Sequence, residues 1–452
     1  MGVTVKRTGK FARAVAVSGV VLIAASACGG GGDEDTSGSG SGSTGGSEEA
    51  VTNIYGSDGN MGSALGDQFT DGGALAGMKG TTPLTDLSGD FKSRLDALNP
   101  DLGGTYNYAG ESYDAVMLSA LAAVAAGSSD ATVFAPYING LTTGGEACSD
   151  FASCLAILSA GGNVDYDGPS GPLDFTEAGE PSVASFGLLQ FGEDNAIDDS
   201  LTEFQIAGDD SQAAGDDTLP IAPAGTTGDP LTIGTLLPLT GSLAFLGPPE
   251  VAGVQLAVQE INEGGGVLGA PVALVEGDSG DTSTDTANTT VDRLLQAGAN
   301  AIIGAASSSV SLTVIDKITA AGVVMFSPAN TSDQFTAYND NGLYFRTAPA
   351  DVLQSVPLAD LVVGDGNTTV GILNLNDAYG TGLATNVTAN LVDGGLAEDD
   401  IMQITYDPTA SSYDSEVQSM VDFAPDAIVV IGFDESARII QELNAQGIGP
   451  AR

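Results

Sequence analysis

From residue 231 to the end of the chain, short apolar runs alternate with longer segments of mixed character. The runs at 231–236, 272–275, 301–304, 323–327, 369–375, 402–406 and 427–432 are rich in β-branched residues and lack polar alternation. Such runs are strands buried on both faces, as in a parallel sheet. The segments between them, 251–262, 286–297, 311–321, 381–393 and 435–445, read as helices. Strands alternating with helices predict a parallel sheet covered on its faces.

Residues 51–206 have the same flavour. A strand is expected at 51–55, and a helix at 113–126 that is apolar nearly all round and so buried. Between the two blocks, 207–230 consists mainly of Asp, Gly, Ala, Thr and Pro without periodicity, which predicts a flexible linker. The chain has 452 residues. That is too many for one core and suits two domains.

The N-terminus has a different pattern. Lys6, Arg7, Lys10 and Arg13 precede an apolar run at 15–23 and then Ala25, Ser26, Ala27 and Cys28. Basic, apolar and small residues in that order form an export signal, and the apolar run is too short to span a bilayer. A Cys directly after the small residues resembles the lipobox of bacterial lipoproteins, in which that Cys is acylated after cleavage of residues 1–27. Ala25 stands where Leu is more frequent. Ordinary secretion is the alternative. Residues 28–50 carry no apolar pattern and read as a disordered tether.

Charge and composition exclude several functions. Twelve Lys and Arg face 59 Asp and Glu, a net charge of −47. Such a surface repels nucleic acid and anionic lipid. It serves solubility, as in a salty habitat, or attracts cationic solutes. The chain has no His, which removes His-based nucleophile pairs and His-ligated metals. The Gly-rich stretch 264–269 follows a helix rather than a strand and lacks the Lys of a phosphate loop. Asp278, Asp281 and Asp285 lack the closing Glu of an EF-hand. No catalytic residues, metal or cofactor are expected. Cys148 and Cys154 are spaced for a local disulfide in an exported chain, with two buried thiols as the alternative.

Particular motifs carry a resemblance. Residues 231–452 contain Pro238-Leu239-Thr240-Gly241, Glu260-Ile261-Asn262 and Ser327-Pro328-Ala329-Asn330-Thr331. They also contain Phe345-Arg346-Thr347-Ala348-Pro349 and Asn376-Asp377-Ala378-Tyr379-Gly380. This stretch resembles the first part of the leucine/isoleucine/valine-binding family of ABC-importer receptors, the type I periplasmic binding proteins. Residues 51–206, through Tyr55-Gly56-Ser57-Asp58-Gly59, Tyr113-Asp114-Ala115 and Asp165-Tyr166-Asp167-Gly168, resemble its last part. The two parts therefore stand in circularly permuted order, covering nearly all of the mature chain. The alternatives are a non-functional rearranged product and a truncated tandem copy. The new ends fall where an exposed loop is expected, a tolerated place.

The resemblance implies an α/β, two-lobed type I periplasmic-binding-protein fold, each lobe a mainly parallel sheet flanked by helices. Residues 231–349 with 108–165 would build one lobe, and 350–452 with 51–107 and 166–206 the other. It further implies that Ser307, Ser308, Ala329 and Thr331 hold the head of a small polar ligand. Ser307 and Ser308 lie between a strand and a helix, where anion donors belong; helix capping alone would also explain them, and turn chemistry would explain Thr331. Asp58 matches an acidic position facing the ammonium, where Glu is frequent; an Asp-Gly turn is the alternative. Tyr379 would cover the ligand or simply pack. Phe433 and Leu246 would shape the pocket, and Leu246 departs from the aromatic usual there. The expected protein is a monomeric, lipid-anchored solute-binding protein on the extracytoplasmic face of the cell membrane. It would carry an amino acid or amide-like molecule to an ABC permease. A sensory receptor of the same fold is the alternative.

Overall fold

The computed structural model describes residues 52–215 and 219–450. The expected signal, Cys28 and the tether lie outside them. The first block supplies strands β1 (Asn53–Gly56), β2 (Lys79–Pro83), β3 (Glu146–Cys148), β4 (Val164–Tyr166), β5 (Val183–Gln190) and β6 (Glu203–Gly208). The second supplies β7 (Thr232–Leu236), β8 (Ala273–Val275), β9 (Ala301–Gly304), β10 (Val324–Ser327) and β11 (Tyr344–Arg346), then β12 (Val370–Leu375), β13 (Ile401–Tyr406) and β14 (Ala427–Ile431).

Two sheets define two lobes. The first lobe holds an all-parallel sheet ordered β11-β10-β9-β7-β8. The second holds the order β13-β12-β14-β1-β2-β5-β6. The decisive pairing is β1 with β14. These strands come from opposite ends of the chain, yet they run parallel in register from Asn53 opposite Ala427 to Gly56 opposite Val430. The fully apolar β14 needs cover on both edges and both faces, and β12 and β1 supply the edges. The last two strands depart from the parallel pattern: β5 is antiparallel to β2 and β6 to β5. The connection from β5 to β6 contains no α-helix and suits an antiparallel return; β2 and β5 are far apart in the chain, so their pairing is not set by a short connection.

The boundaries between lobes differ from the sequence-based division. The helix Gly89–Leu98 was expected in the second lobe but packs on the first. Its Phe91 and Leu95 are buried there, with Phe91 edge-on to Tyr113 at 5.4 Å between ring centroids. An amphipathic helix goes where apolar cover exists, and the helix Ala109–Ala126 provides it. Leu173 and Phe175, also expected in the second lobe, join the same core. The helix Ala109–Ala126 lies against Gly247–Glu263 and is buried over almost its whole length, as its composition requires.

The linker also departs from expectation. Ala207 and Gly208, expected in the linker, end β6, and residues 219–230 are docked on the first lobe. Ala222 N–H donates to Ala125 O at 2.8 Å, Tyr137 Oη to Pro220 O at 3.0 Å and Gly228 N–H to Leu268 O at 3.2 Å. Ile221 packs against the core beside these hydrogen bonds. Cys148 and Cys154 are joined by a disulfide at the start of the helix Phe151–Ser159. Among the described residues no single helix is long and apolar enough to cross a membrane.

Candidate functional site

All eight residues singled out for ligand contact line one cavity between the lobes: Asp58, Leu246, Ser307, Ser308, Ala329, Thr331, Tyr379 and Phe433. The topology explains the convergence. Asp58 follows β1, Leu246 follows β7, Ser307 and Ser308 follow β9, and Ala329 and Thr331 follow β10. Tyr379 follows β12 and Phe433 follows β14. Each stands beyond the carboxyl end of a parallel strand, where open α/β sheets present their crevices. A larger open depression of 730 Å³ lies by Gly298, Asn300 and Val323, at the amino ends of β9 and β10. Its size does not make it the better site, because it lacks these converging side chains.

The first lobe contributes hydroxyls and backbone. Ser307 caps the helix Ser308–Ala320, its Oγ accepting from Val310 N–H at 3.3 Å. Ser308 Oγ accepts from Ser332 N–H at 3.3 Å, which leaves its own proton available. The two loops are locked together. Asn330 Nδ2 donates to Ala305 O at 3.0 Å and Ala306 O at 2.8 Å. Behind them Arg346, wholly buried, is paired with Glu180 and donates to Asn330 O at 3.1 Å and Ser332 O at 2.8 Å. The residues on either side of Thr331 are therefore held by charge-assisted bonds.

The second lobe contributes an acid and an aromatic wall. Asp58 is 6% exposed. Its Oδ2 accepts from Tyr108 Oη, and its Oδ1 accepts from Tyr379 Oη and Gln354 Nε2, each at 2.7 Å. Burial pushes the Asp58 carboxyl upward, and the bonds from Tyr108, Tyr379 and Gln354 pull against it. Among the described residues no Lys or Arg lines the cavity. The three donors around the Asp58 carboxyl are neutral, so among the described cavity-lining residues no cation compensates its ionised form. Tyr379 stacks on Phe433 with centroids 5.5 Å apart and planes inclined by 9°. Gly59 must be glycine, since a Cβ would stand 2.5 Å from Gly432 O.

The enclosed volume is 20 Å³. That is about room for one water. An amino-acid-sized molecule enters only if the lobes part. Among the described residues, segments at 84–88, 176–182, 209–214 and 347–350 join the lobes and must bend for this to happen.

The sequence reading missed Tyr108 and Gln354. Tyr108 carries no motif; it precedes a helix in a left-handed conformation, φ 58°, that nothing in its neighbours signals. Gln354 sits in the helix Asp351–Gly364, which contains Pro357. Proline within a helical pattern argues against that pattern.

Parts of the chain are similar to known proteins. Residues 230–452 match the family model described as periplasmic binding protein. The chain is 33% identical over 170 residues to the Leu/Ile/Val-binding protein BraC3 of Rhizobium johnstonii, covering 37% of this chain and 46% of that one. It is 30% identical over 235 residues to BasB of Halobacterium salinarum, the substrate-binding protein of a chemotactic signal transduction system, covering 49% and 55%. The chain spans about half the length of these relatives. Among solved structures, the branched-chain amino acid transporter substrate-binding protein LivJ of Streptococcus pneumoniae, in complex with isoleucine, is 26% identical. It aligns over 49% of this chain and 62% of that one with a TM-score of 0.42. Residues 230–452, just under half of the chain, are thus similar to the periplasmic binding protein family.

Proposed function

We propose that this chain is an extracytoplasmic solute-binding lipoprotein that clasps an α-amino acid between its lobes and delivers it to an ABC permease. The observation that carries the reading is the opposition across one cavity of Asp58, a buried carboxylate without a cation, and the hydroxyls of Ser308 and Thr331. An α-amino acid has an ammonium for the first and a carboxylate for the second. Only the closed form makes both contacts, so the ligand favours closure. Tyr379 and Phe433 would cover it, and Leu243 and Leu246 would meet its side chain. Leu/Ile/Val-binding relatives support an apolar amino acid. Cys28 would be the acylated residue, holding the monomeric protein at the cell membrane.

The block order is read as a working circular permutation. The parallel pairing of β1 with β14 and the family match confined to residues 230–452 support it. The resemblance to BasB supports a second reading, a receptor that reports the same kind of ligand to a signalling partner. The test is a thermal-shift and calorimetric screen of residues 52–452 against L-leucine, L-isoleucine, L-valine, L-threonine and L-alanine. At least one should raise the melting temperature and bind at one site, with the effect lost in Ser308→Ala. Absence of any response across this set and the remaining amino acids would reject the trap.

A further inference from the structure

Asp351 opens the helix Asp351–Gly364, where the chain passes from the first lobe to the second. It is wholly buried, and neither carboxylate oxygen has a hydrogen-bond partner. Its N–H donates to Thr331 O at 2.6 Å, so the acid stands directly behind a residue that lines the cavity. Gly382 closes the other side; a Cβ there would lie 3.5 Å from Asp351 Oδ2. The charged groups facing it are Asp333, Asp58 and Arg346. Arg346 is already paired with Glu180. Burial first, and then repulsion from Asp333 and Asp58, drives the Asp351 carboxyl well above the usual range. The Thr331 hydroxyl pulls the other way, although it falls short of full hydrogen-bond geometry.

A threonine hydroxyl has one proton to give. A ligand carboxylate only accepts, and an ionised Asp351 would also only accept, so the two would compete for that proton. A neutral Asp351 instead has an O–H to donate. We infer that Asp351 is a positioning residue: as the neutral acid it donates to Thr331 Oγ and turns the Thr331 hydroxyl proton towards the carboxylate of the bound solute. The inference rests on the reading of Thr331 as part of the head site.

The test is calorimetric titration of the full mature chain with L-leucine at pH 7. Asp351→Asn keeps a donor against Thr331 and should bind within about threefold of the unaltered chain, whereas Asp351→Val should weaken binding about tenfold or more, the size of a hydrogen bond to a charged group. In a Thr331→Val background, Asp351→Val should cause no further loss, since the two act through one bond. A tenfold loss in a normally folded Asp351→Asn variant would overturn the relay. So would an Asp351→Val penalty undiminished in the Thr331→Val background. If Asp351→Val does not fold, the Asp351→Asn result decides alone. Failure of the unaltered chain to bind L-leucine would overturn the functional reading and the relay with it; binding by the unaltered chain with loss in Asp351→Asn overturns only the relay.

Discussion

Asp58→Asn tests the acid's part in binding, with stability measured beside it. The change removes a charge and keeps the shape. Asp58 Oδ2 can remain the acceptor for Tyr108 as the amide oxygen. The new Nδ2 needs an acceptor, and Gln354 Oε1, which has no partner, provides one when the Gln354 amide rotates. Tyr379 Oη can turn its proton to Ser57 Oγ, 2.6 Å away. The rotation carries Gln354 Nε2 to the place where Oε1 had no partner, so one buried donor is left unpaired and stability should fall by about 1–3 kcal/mol. The bond to a ligand ammonium also loses its charge assistance. Hydrogen bonds to charged groups contribute about 1.5–3 kcal/mol, so affinity should fall roughly 10- to 150-fold. Calorimetry with L-leucine measures the loss, and urea unfolding checks the fold. The deaminated analogue 4-methylpentanoate serves as control, because its binding should not weaken. The pH response follows from the same group. Asp58 sits above its ordinary value, and an ammonium needs it ionised, so wild-type affinity should fall as pH drops through the raised value. The variant should lack that limb. Undiminished L-leucine binding by a folded Asp58→Asn protein would refute the reasoning.

Other predictions concern stability. Burial pushes Glu111 up to about 8, Asp114 to about 7 and Asp167 to about 6. The native state therefore holds protons that the unfolded chain has released, and stability should decline as pH rises from about 4 to 8. A melting temperature no lower at pH 8 than at pH 5 would contradict this. Arg346→Ala leaves Glu180 buried and unpaired and should cost about 3–5 kcal/mol in urea unfolding; a cost under 1 kcal/mol would count against the ion pair. The double change of Cys148 and Cys154 to Ser opens a short loop, with a separation of six residues. It should cost about 2 kcal/mol while leaving L-leucine affinity intact, since the bridge lies outside the cavity lining. A matching loss of affinity would argue against that separation.

Much of this was legible in the chain because β9, β10, β12 and β14 are short, mostly apolar and buried along their length, and helical segments separate them. Their order fixes which loops meet, so Ser308, Thr331, Tyr379 and Phe433 could be placed together before any coordinates. Other features depend on contacts with no local signature. Phe91 and Leu95 could cover either lobe, and only the available surface beside Tyr113 decides. Gln354 was hidden by Pro357, and Asp351 by the ordinary look of an acid at a helix start. The β5–β6 hairpin exposes Phe204 and Ile206, so its outer face lacks the burial that makes a strand easy to recognise.

The most direct measurement is a crystal structure of the mature chain grown with L-leucine. The account predicts the ammonium roughly 3 Å from Asp58 and the carboxylate at similar distances from Ser308 and Thr331, between closed lobes. Leucine bound elsewhere, or lobes in which Asp58 and Ser308 face different surfaces, would contradict it.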